Sequence, residues 1–325
     1  MTRLHKGFRL VEGPQRFYEA VLNEVGKHLA GVERPVKALT IAMLSRGHVL
    51  LEGVPGTAKT TIAKLFAQTL GLEFKRVQMT PDTLPMDLIG GKVFDPKSGQ
   101  FRTVLGPIFT NVLLVDEINR ASPRTQSALI EAMQEAQVTI EGETYELPKP
   151  FFVIATMNPV EMVGTYQLPE VAKDRFTVSV DLRFPPREVE VEAVMLDSMR
   201  KAIEPKAKKA LDKDFVLRAI EEAQAVEAPR KVVEYAVDLV RATRERPEVL
   251  LGATTRAAIH LVRAAKANAA IVGREVTLTD DVKEVAPLVL THRLVVEVSG
   301  DRLFLARDTA EKVVREILEE VEPPA

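Results

Sequence analysis

Short apolar runs separated by amphipathic stretches set the rhythm of the first half of the chain. His48-Val49-Leu50-Leu51, Val112-Leu113-Leu114-Val115, Phe151-Phe152-Val153-Ile154-Ala155-Thr156 and Val178-Ser179-Val180-Asp181-Leu182 are short and mostly continuous. That is the pattern of strands covered on both faces of a parallel sheet. Phe74-Lys75-Arg76-Val77 reads as a further strand. Helical spacing appears in 15–30 (Phe17, Val21, Leu22, Val25, Leu29), from Pro35 to Ser45, in 59–70 (Ile62, Leu65, Phe66, Leu70) and from Pro123 to Gln137. Strands alternating with helices predict an α/β fold, a parallel sheet with helices on both faces. Two segments interrupt it. Gly91–Phe94 and Gln100–Val104 flank a turn at Asp95–Gly99, and Val138–Ile140 and Thr144–Leu147 flank Glu141-Gly142-Glu143. Both read as β-hairpins inserted into the core, either as decoration or as loops touching a substrate or neighbouring subunits.

Past Phe184-Pro185-Pro186-Arg187 the spacing turns helical: Glu188–Ala202, Phe215–Ala223, Arg230–Glu245, Thr255–Ala270, Asp281–Thr291 and Thr309–Glu320, with breaks at Pro229, Pro247, Gly252 and Gly273. The proline pair marks a boundary, giving an α/β domain over 1–186 and a smaller all-α domain over 187–325. The tail Glu322-Pro323-Pro324-Ala325 is expected to fray. At 325 residues, 46% hydrophobic and 28% charged, the chain can bury a sizeable core. A formal net charge of -2 gives no whole-chain reason to bind nucleic acid. The absence of cysteine excludes disulfides and thiolate metal sites. With no apolar stretch long enough to span a membrane and no signal-peptide core after Met1, a cytoplasmic location is expected. The histidines (His5, His28, His48, His260, His292) show no metal-ligand spacing and read as core or solvated residues.

The chemistry begins directly after the first apolar run. Gly53-Val54-Pro55-Gly56-Thr57-Ala58-Lys59-Thr60 is a glycine-punctuated loop that opens a helix with a lysine-threonine pair, followed by Thr61. Glycines let backbone N–H groups curl round phosphate oxygens, and the helix N-terminus adds partial positive charge. Lys59 can reach the β/γ-phosphates of a nucleoside triphosphate, and the Thr60 hydroxyl can ligate Mg²⁺. The strict pattern carries glycine where Ala58 stands. The 112–115 run delivers Asp116 and Glu117, 57 residues after Lys59 for Asp116, to the same edge of the sheet. Asp116 would support Mg²⁺ beside Thr60, and Glu117 would orient and deprotonate the attacking water. The 151–156 strand ends in Thr156-Met157-Asn158-Pro159, bringing Asn158 to that edge as a partner for the γ-phosphate or the water. Asp174-Arg175-Phe176 precedes the last strand, and Arg256 opens a helix after Gly252-Ala253-Thr254-Thr255; each arginine could neutralise a transferring phosphoryl group.

From Leu29-Ala30-Gly31-Val32-Glu33 to Arg175-Phe176 the chain resembles an AAA+ ATPase, and more narrowly the MoxR family of the helix-2-insert group. The matching stretches are Gly47–Thr60, Asp116-Glu117-Ile118-Asn119-Arg120-Ala121, Gln126–Glu135, Ala155–Pro159, Leu168-Pro169-Glu170 and Asp174-Arg175-Phe176. A weaker match continues through the C-terminal lid. Alanine at Ala58 is usual in that family, whereas Gly-Ala-Thr-Thr-Arg at 252–256 replaces the more common Gly-Ala-Ser-Pro-Arg. The resemblance implies an AAA+ P-loop fold with a helical lid. Lys59 and Thr60 would be the Walker A pair, Asp116 and Glu117 the Walker B pair, and Asn158 sensor 1. Arg175 would be the arginine finger and Arg256 sensor 2. The loop from Gly31 and Val32 to Pro35 is similar to the adenine-side loop, the 91–104 hairpin to the helix-2 insert, and the 138–147 hairpin to the one before sensor 1.

The resemblance also implies ATP and Mg²⁺ as cofactors and a homo-oligomeric ring, commonly a hexamer, with ATP at each subunit junction. Arg175 would then act on the neighbour's nucleotide, while Arg256 could act in either subunit. The expected function is an ATPase that remodels or activates a protein client, often with a von Willebrand factor A-type partner, in metal or cofactor insertion or complex assembly. One alternative is a nucleic-acid-translocating motor, which the basic Lys92, Lys97 and Arg102 of the first hairpin suit and the acidic Glu141, Glu143 and Glu146 of the second oppose. Another is a nucleotide-binding switch with little turnover, which an intact Glu117 and Arg175 oppose.

Overall fold

The computed structural model describes residues 12–54, 56–97, 99–158, 165–199, 204–297 and 303–324, without the side chains of 303–305. The expected positions Pro55, Ser98 and Pro159, the start of the chain and the end of the 188–202 helix lie outside the described residues. The order of elements is α1 (Glu12–Gly26), α2 (Glu33–Leu44), β1 (Val49–Gly53), α3 (Lys59–Thr69), β2 (Phe74–Gln78) and α4 (Pro85–Ile89). A hairpin of β3 (Gly90–Asp95) and β4 (Gln100–Leu105) follows, then β5 (Val112–Asp116), α5 (Pro123–Glu135) and a second hairpin of β6 (Gln137–Ile140) and β7 (Glu143–Glu146). β8 (Phe152–Met157), α6 (Glu170–Lys173) and β9 (Val178–Leu182) complete this half.

β2, β5, β8, β1 and β9 form one five-stranded sheet in that spatial order, with every neighbouring pair parallel. The alternation of side chains along each strand sorts the apolar runs between two cores. Val49, Leu51, Val112, Leu114, Phe152 and Ile154 join Phe17, Val21, Leu39, Ile62 and Phe66 of α1, α2 and α3. Leu50, Leu113, Val115, Val153 and Ala155 join Leu129, Ile130 and Met133 of α5 and Val138 and Ile140 of β6. Because all strands run the same way, their C-terminal ends fall on one edge, carrying Gly53, Gln78, Asp116 and Asn158 to a common rim.

The second half holds α7 (Arg187–Ser198), α8 (Lys213–Ala225), α9 (Arg230–Ala242), α10 (Thr255–Ile271), α11 (Thr279–Leu290) and α12 (Leu303–Glu320). Val216, Ile220, Tyr235, Leu239, Leu261, Val285, Val289 and Val314 make its core continuous with the α1/α2 side of the sheet. Arg307 of α12 bonds the Glu52 carboxylate and the Ser179 hydroxyl (2.9 Å to the latter), tying the lid to β1 and β9. α9 stops at Ala242 rather than near Glu245: the Thr243 hydroxyl donates to the Val240 carbonyl at 2.6 Å and accepts the Ala253 N–H at 2.9 Å. The lid also carries a small antiparallel pair, β10 (Val249–Leu251) with β11 (Val295–Val296), where helix was expected to dominate. Strands this short hold too few residues for a period to register. No helix among the described residues is long and apolar enough to cross a membrane, and those residues gather no group of three or more His, Asp or Glu suited to a metal ion.

Candidate functional site

β1 ends at Gly53, whose φ of +150° brings it against β9: a Cβ there would lie 2.3 Å from the Leu182 carbonyl oxygen. The loop that follows turns through Gly56 (φ +86°) and Ala58 (φ +57°) before α3 begins at Lys59. A left-handed alanine costs on the order of 1–2 kcal/mol, strain that glycine would avoid. Ala58 precedes α3 without a side-chain cap, and no acidic residue occupies the first turn, so the helix N-terminus is presented as a bare anion-binding end. The Thr57 hydroxyl ties the loop by donating to the Val54 carbonyl at 2.9 Å. Lys59 folds over the same loop, its Nζ donating to the carbonyls of Gly53 (2.8 Å) and Val54 (2.7 Å). Burial lowers the Lys59 pKa, against the opposing pull of Asp116 and Glu117.

β5 supplies the acids. Asp116 Oδ2 accepts from the Thr60 hydroxyl (3.1 Å) and from Arg76 Nε (3.0 Å) and Nη2 (2.7 Å), while Oδ1 accepts from the Thr156 hydroxyl at 2.5 Å. Thr156 in turn accepts the Glu117 N–H at 2.9 Å, which holds Glu117 in its left-handed conformation (φ +57°). The Glu117 carboxylate is gripped by Gln78 Nε2 and Arg120 Nε, each 2.8 Å from Oε2. Together these groups enclose a cavity of about 460 Å³, lined by Gly56, Thr57, Ala58, Lys59, Thr60, Thr61, Arg76, Gln78, Asp116, Glu117, Thr156 and Asn158. A cationic loop beside paired carboxylates and a hydroxyl can hold a polyphosphate with a hard divalent cation and present a base to a water.

Nine of the expected residues meet there: Gly56, Thr57, Ala58, Lys59, Thr60, Thr61, Asp116, Glu117 and Asn158. Val54 contributes its carbonyl to Lys59 from behind the loop. Gly31 and Val32 lie outside the lining of this cavity; Gly31 (φ +67°) abuts α7, where an added Cβ would be 2.7 Å from Val189 Cγ1. Arg175 and Arg256 also stand outside it. Asp174 binds Arg256 Nη1 (3.2 Å) and the Thr254 hydroxyl (3.1 Å) through Oδ2, and Arg293 Nε (2.9 Å) through Oδ1. Arg175 Nε and Nη1 are buried with no hydrogen-bond partner. Burial, and then the like charge of Arg256, lower the Arg175 pKa.

Arg76, Gln78, Thr156 and Arg120 escaped the sequence reading as contributors. Arg76 and Gln78 are two apart on β2 and so share a face, and Gln78 is paired in register with Asp116. Two polar residues on one face of a strand beside an acid-bearing strand were the available signal.

The sequence profile of the ATPase family associated with various cellular activities (AAA) matches residues 48–178, and that of the AAA lid domain matches residues 241–317. The chain is 41% identical to the uncharacterised protein YeaC of Bacillus subtilis over 293 residues, 90% of each chain. It is also 41% identical to the chaperone MoxR1 of Mycobacterium tuberculosis over 287 residues, 85% of this chain and 75% of that one. Among solved structures it matches a protein of Cytophaga hutchinsonii, provisionally described as an ATPase, with a TM-score of 0.84 and 38% identity over 97% of this chain and 98% of that one.

Proposed function

The chain belongs to the MoxR family of AAA+ ATPases and is an ATP hydrolase, and from that premise we propose that it works as a Mg²⁺-dependent ring, commonly a hexamer, that remodels protein clients in a chaperone-like role. In this reading Lys59 and the α3 N-terminus bind the phosphates, Glu117 orients and deprotonates the water, and Asn158 steadies the water or the γ-phosphate. Gly31 and Val32 would flank the base, the region to 186 would hold the nucleotide, and the remainder would act as the lid. Thr60 and Asp116 fit Mg²⁺: they are hard oxygen ligands 3.1 Å apart, and Asp116 Oδ2 already pairs with the cationic Arg76. The ion would neutralise charge on the β- and γ-oxygens. On binding, Glu117 would exchange Gln78 and Arg120 for the water.

One observation carries the ring. The hydrolytic groups converge on one cavity, while Arg175, with unpartnered donors, sits beside Arg256 away from it. Buried guanidinium N–H groups without partners are costly unless an acceptor completes them. That supports both arginines acting on a neighbouring subunit's nucleotide. The test is ATP turnover by Arg175→Ala, Lys59→Ala and their mixture. Arg175→Ala alone is expected to lose about 10³-fold, as removal of such an arginine typically does, Lys59→Ala alone to lose turnover together with phosphate binding, and the mixture to regain turnover at sites built from one intact half of each. Normal turnover by Arg175→Ala would overturn the trans assignment.

The MoxR1 relative's name supports a chaperone-like role. The resemblance extends it to a von Willebrand factor A-type partner and to metal or cofactor insertion. A nucleic-acid motor has one observation in its favour: Phe94 and Phe101 pair edge-to-face at 5.4 Å on the exposed β3–β4 hairpin, near Lys97 and Arg102. Against it, Lys92 is engaged by Glu143 at 3.7 Å, and Glu141 and Glu146 of the second hairpin are exposed acids. Stimulation of turnover by single-stranded DNA would favour the motor.

A further inference from the structure

Arg293, in the turn that follows α11, is a lid residue, fully buried, and it reaches across to the turn that carries Arg175. Its Nε donates to Asp174 Oδ1 at 2.9 Å, Nη2 to the carbonyls of Asp174 (3.2 Å) and Phe176 (2.7 Å), and Nη1 to the carbonyl of Thr177 (3.3 Å). The guanidinium also meets His292 Nε2 at 2.9 Å and His260 Nδ1 at 2.6 Å. Burial and the neighbouring Arg293 charge hold the His260 pKa far down, so its ring is neutral and Nδ1 is able to accept. Thr254 and Arg256, at the start of α10, take the other Asp174 oxygen. The backbone on both sides of Arg175 is therefore bonded to the lid, while Arg175 Nε and Nη1 bond to nothing.

We propose that Arg293 is a positioning residue: a strut borne by the lid that fixes the 174–177 turn, and through it the reach of Arg175 into the neighbouring subunit's site. This rests on the trans-acting reading of Arg175. A misplacement of about 1 Å in a charge-stabilising group can cost on the order of 10²-fold in rate, so the turn needs a rigid support. Only a planar fork of five donors spans a carboxylate and several carbonyls at once; an ammonium keeps the charge but not the span. The strut also makes lid and finger one body, so that a change in lid position moves the finger presented to the next site.

Arg293→Lys and Arg293→Gln test this in the full chain, beside a thermal melt. Affinity for a fluorescent ATP analogue and KM are expected to stay within about twofold, because the residues lining the subunit's own cavity are untouched, while kcat falls at least about tenfold. Mixing either variant with Lys59→Ala is expected to restore turnover, since Lys59→Ala subunits supply a well-held finger to the variant's intact cavity. Unchanged kcat in folded Arg293→Lys would overturn the proposal. So would a loss that Lys59→Ala does not complement, which would put the defect in the variant's own site, and so would melting of both variants below the assay temperature, which would make Arg293 a fold element. The control mixture of Arg175→Ala with Lys59→Ala separates the two ideas: its failure to complement sinks the trans reading whatever the Arg293 variants do.

Discussion

At the scale of single residues the site turns on a hydroxyl. Thr156 is buried, its hydroxyl donates a hydrogen bond to Asp116 and accepts one from the Glu117 N–H, so one side chain aligns both acids. Thr156→Val keeps the volume and leaves a buried carboxylate oxygen and a backbone donor without that partner, at about 1–3 kcal/mol. Urea denaturation is expected to show that loss, and turnover to fall roughly tenfold or more, with ATP binding nearly unchanged because Lys59 and the α3 amides are untouched. Thr156→Ser, which restores the hydroxyl, is expected to recover most of the turnover; full activity in Thr156→Val would remove the hydroxyl from the mechanism. Thr156 shows where sequence legibility ends. Lys59, Thr60, Asp116, Glu117 and Asn158 are readable because each stands at the end of an apolar strand or opens the helix just after its loop, and a parallel sheet sends all such positions to one edge. Thr156, Arg76 and Gln78 act across strands that are distant in sequence, and their roles emerge only once the order β2-β5-β8 is known.

At the scale of elements, His48 joins three pieces of the fold. Its Nδ1 accepts the Val153 N–H of β8 at 3.0 Å and its Nε2 donates to the Met133 carbonyl of α5 at 3.2 Å, just ahead of β1. Burial pushes its pKa down to about 4, so the folded chain keeps it neutral. In the unfolded chain a histidine takes its proton near pH 6.5. Stability from this site is thus complete above about pH 6.5 and is lost as the pH falls towards 4, by about 3 kcal/mol in all. Half-buried His260 and buried His292, lowered likewise, act in the same direction. Ring-proton NMR is expected to show no His48 titration until near pH 4; a midpoint near 6.5 would refute the buried tautomer. Element boundaries followed the same physics as their legibility. The long helices and buried strands were predictable from periodicity, and the second hairpin from Gly142, which with Glu141 takes the positive φ of a two-residue turn. The short α4, α6, β10 and β11 were not, because their conformation is set by what they pack against.

The whole molecule leaves several large apolar side chains exposed. α7 has no buried residue; Val194 on it is 69% exposed, Met199 just after it 71%, Phe184 just before it 71%, and Val171, four residues before Arg175, 66%. Apolar area of this kind suits a junction between copies. A net charge of only -2 sets little repulsion against assembly. Glu117→Gln should bind ATP without hydrolysing it, and light scattering with ATP and Mg²⁺ is then expected to shift the mass from 36.0 kDa towards roughly six times that value. Placing charge on and just after the exposed helix, in Val194→Glu with Met199→Glu, should block that shift and abolish turnover while each chain still binds the nucleotide. Assembly unaffected by those charges would move the junction to another face. A monomer that hydrolyses ATP at full rate would remove the ring, and with it any need for Arg175 to reach beyond its own chain.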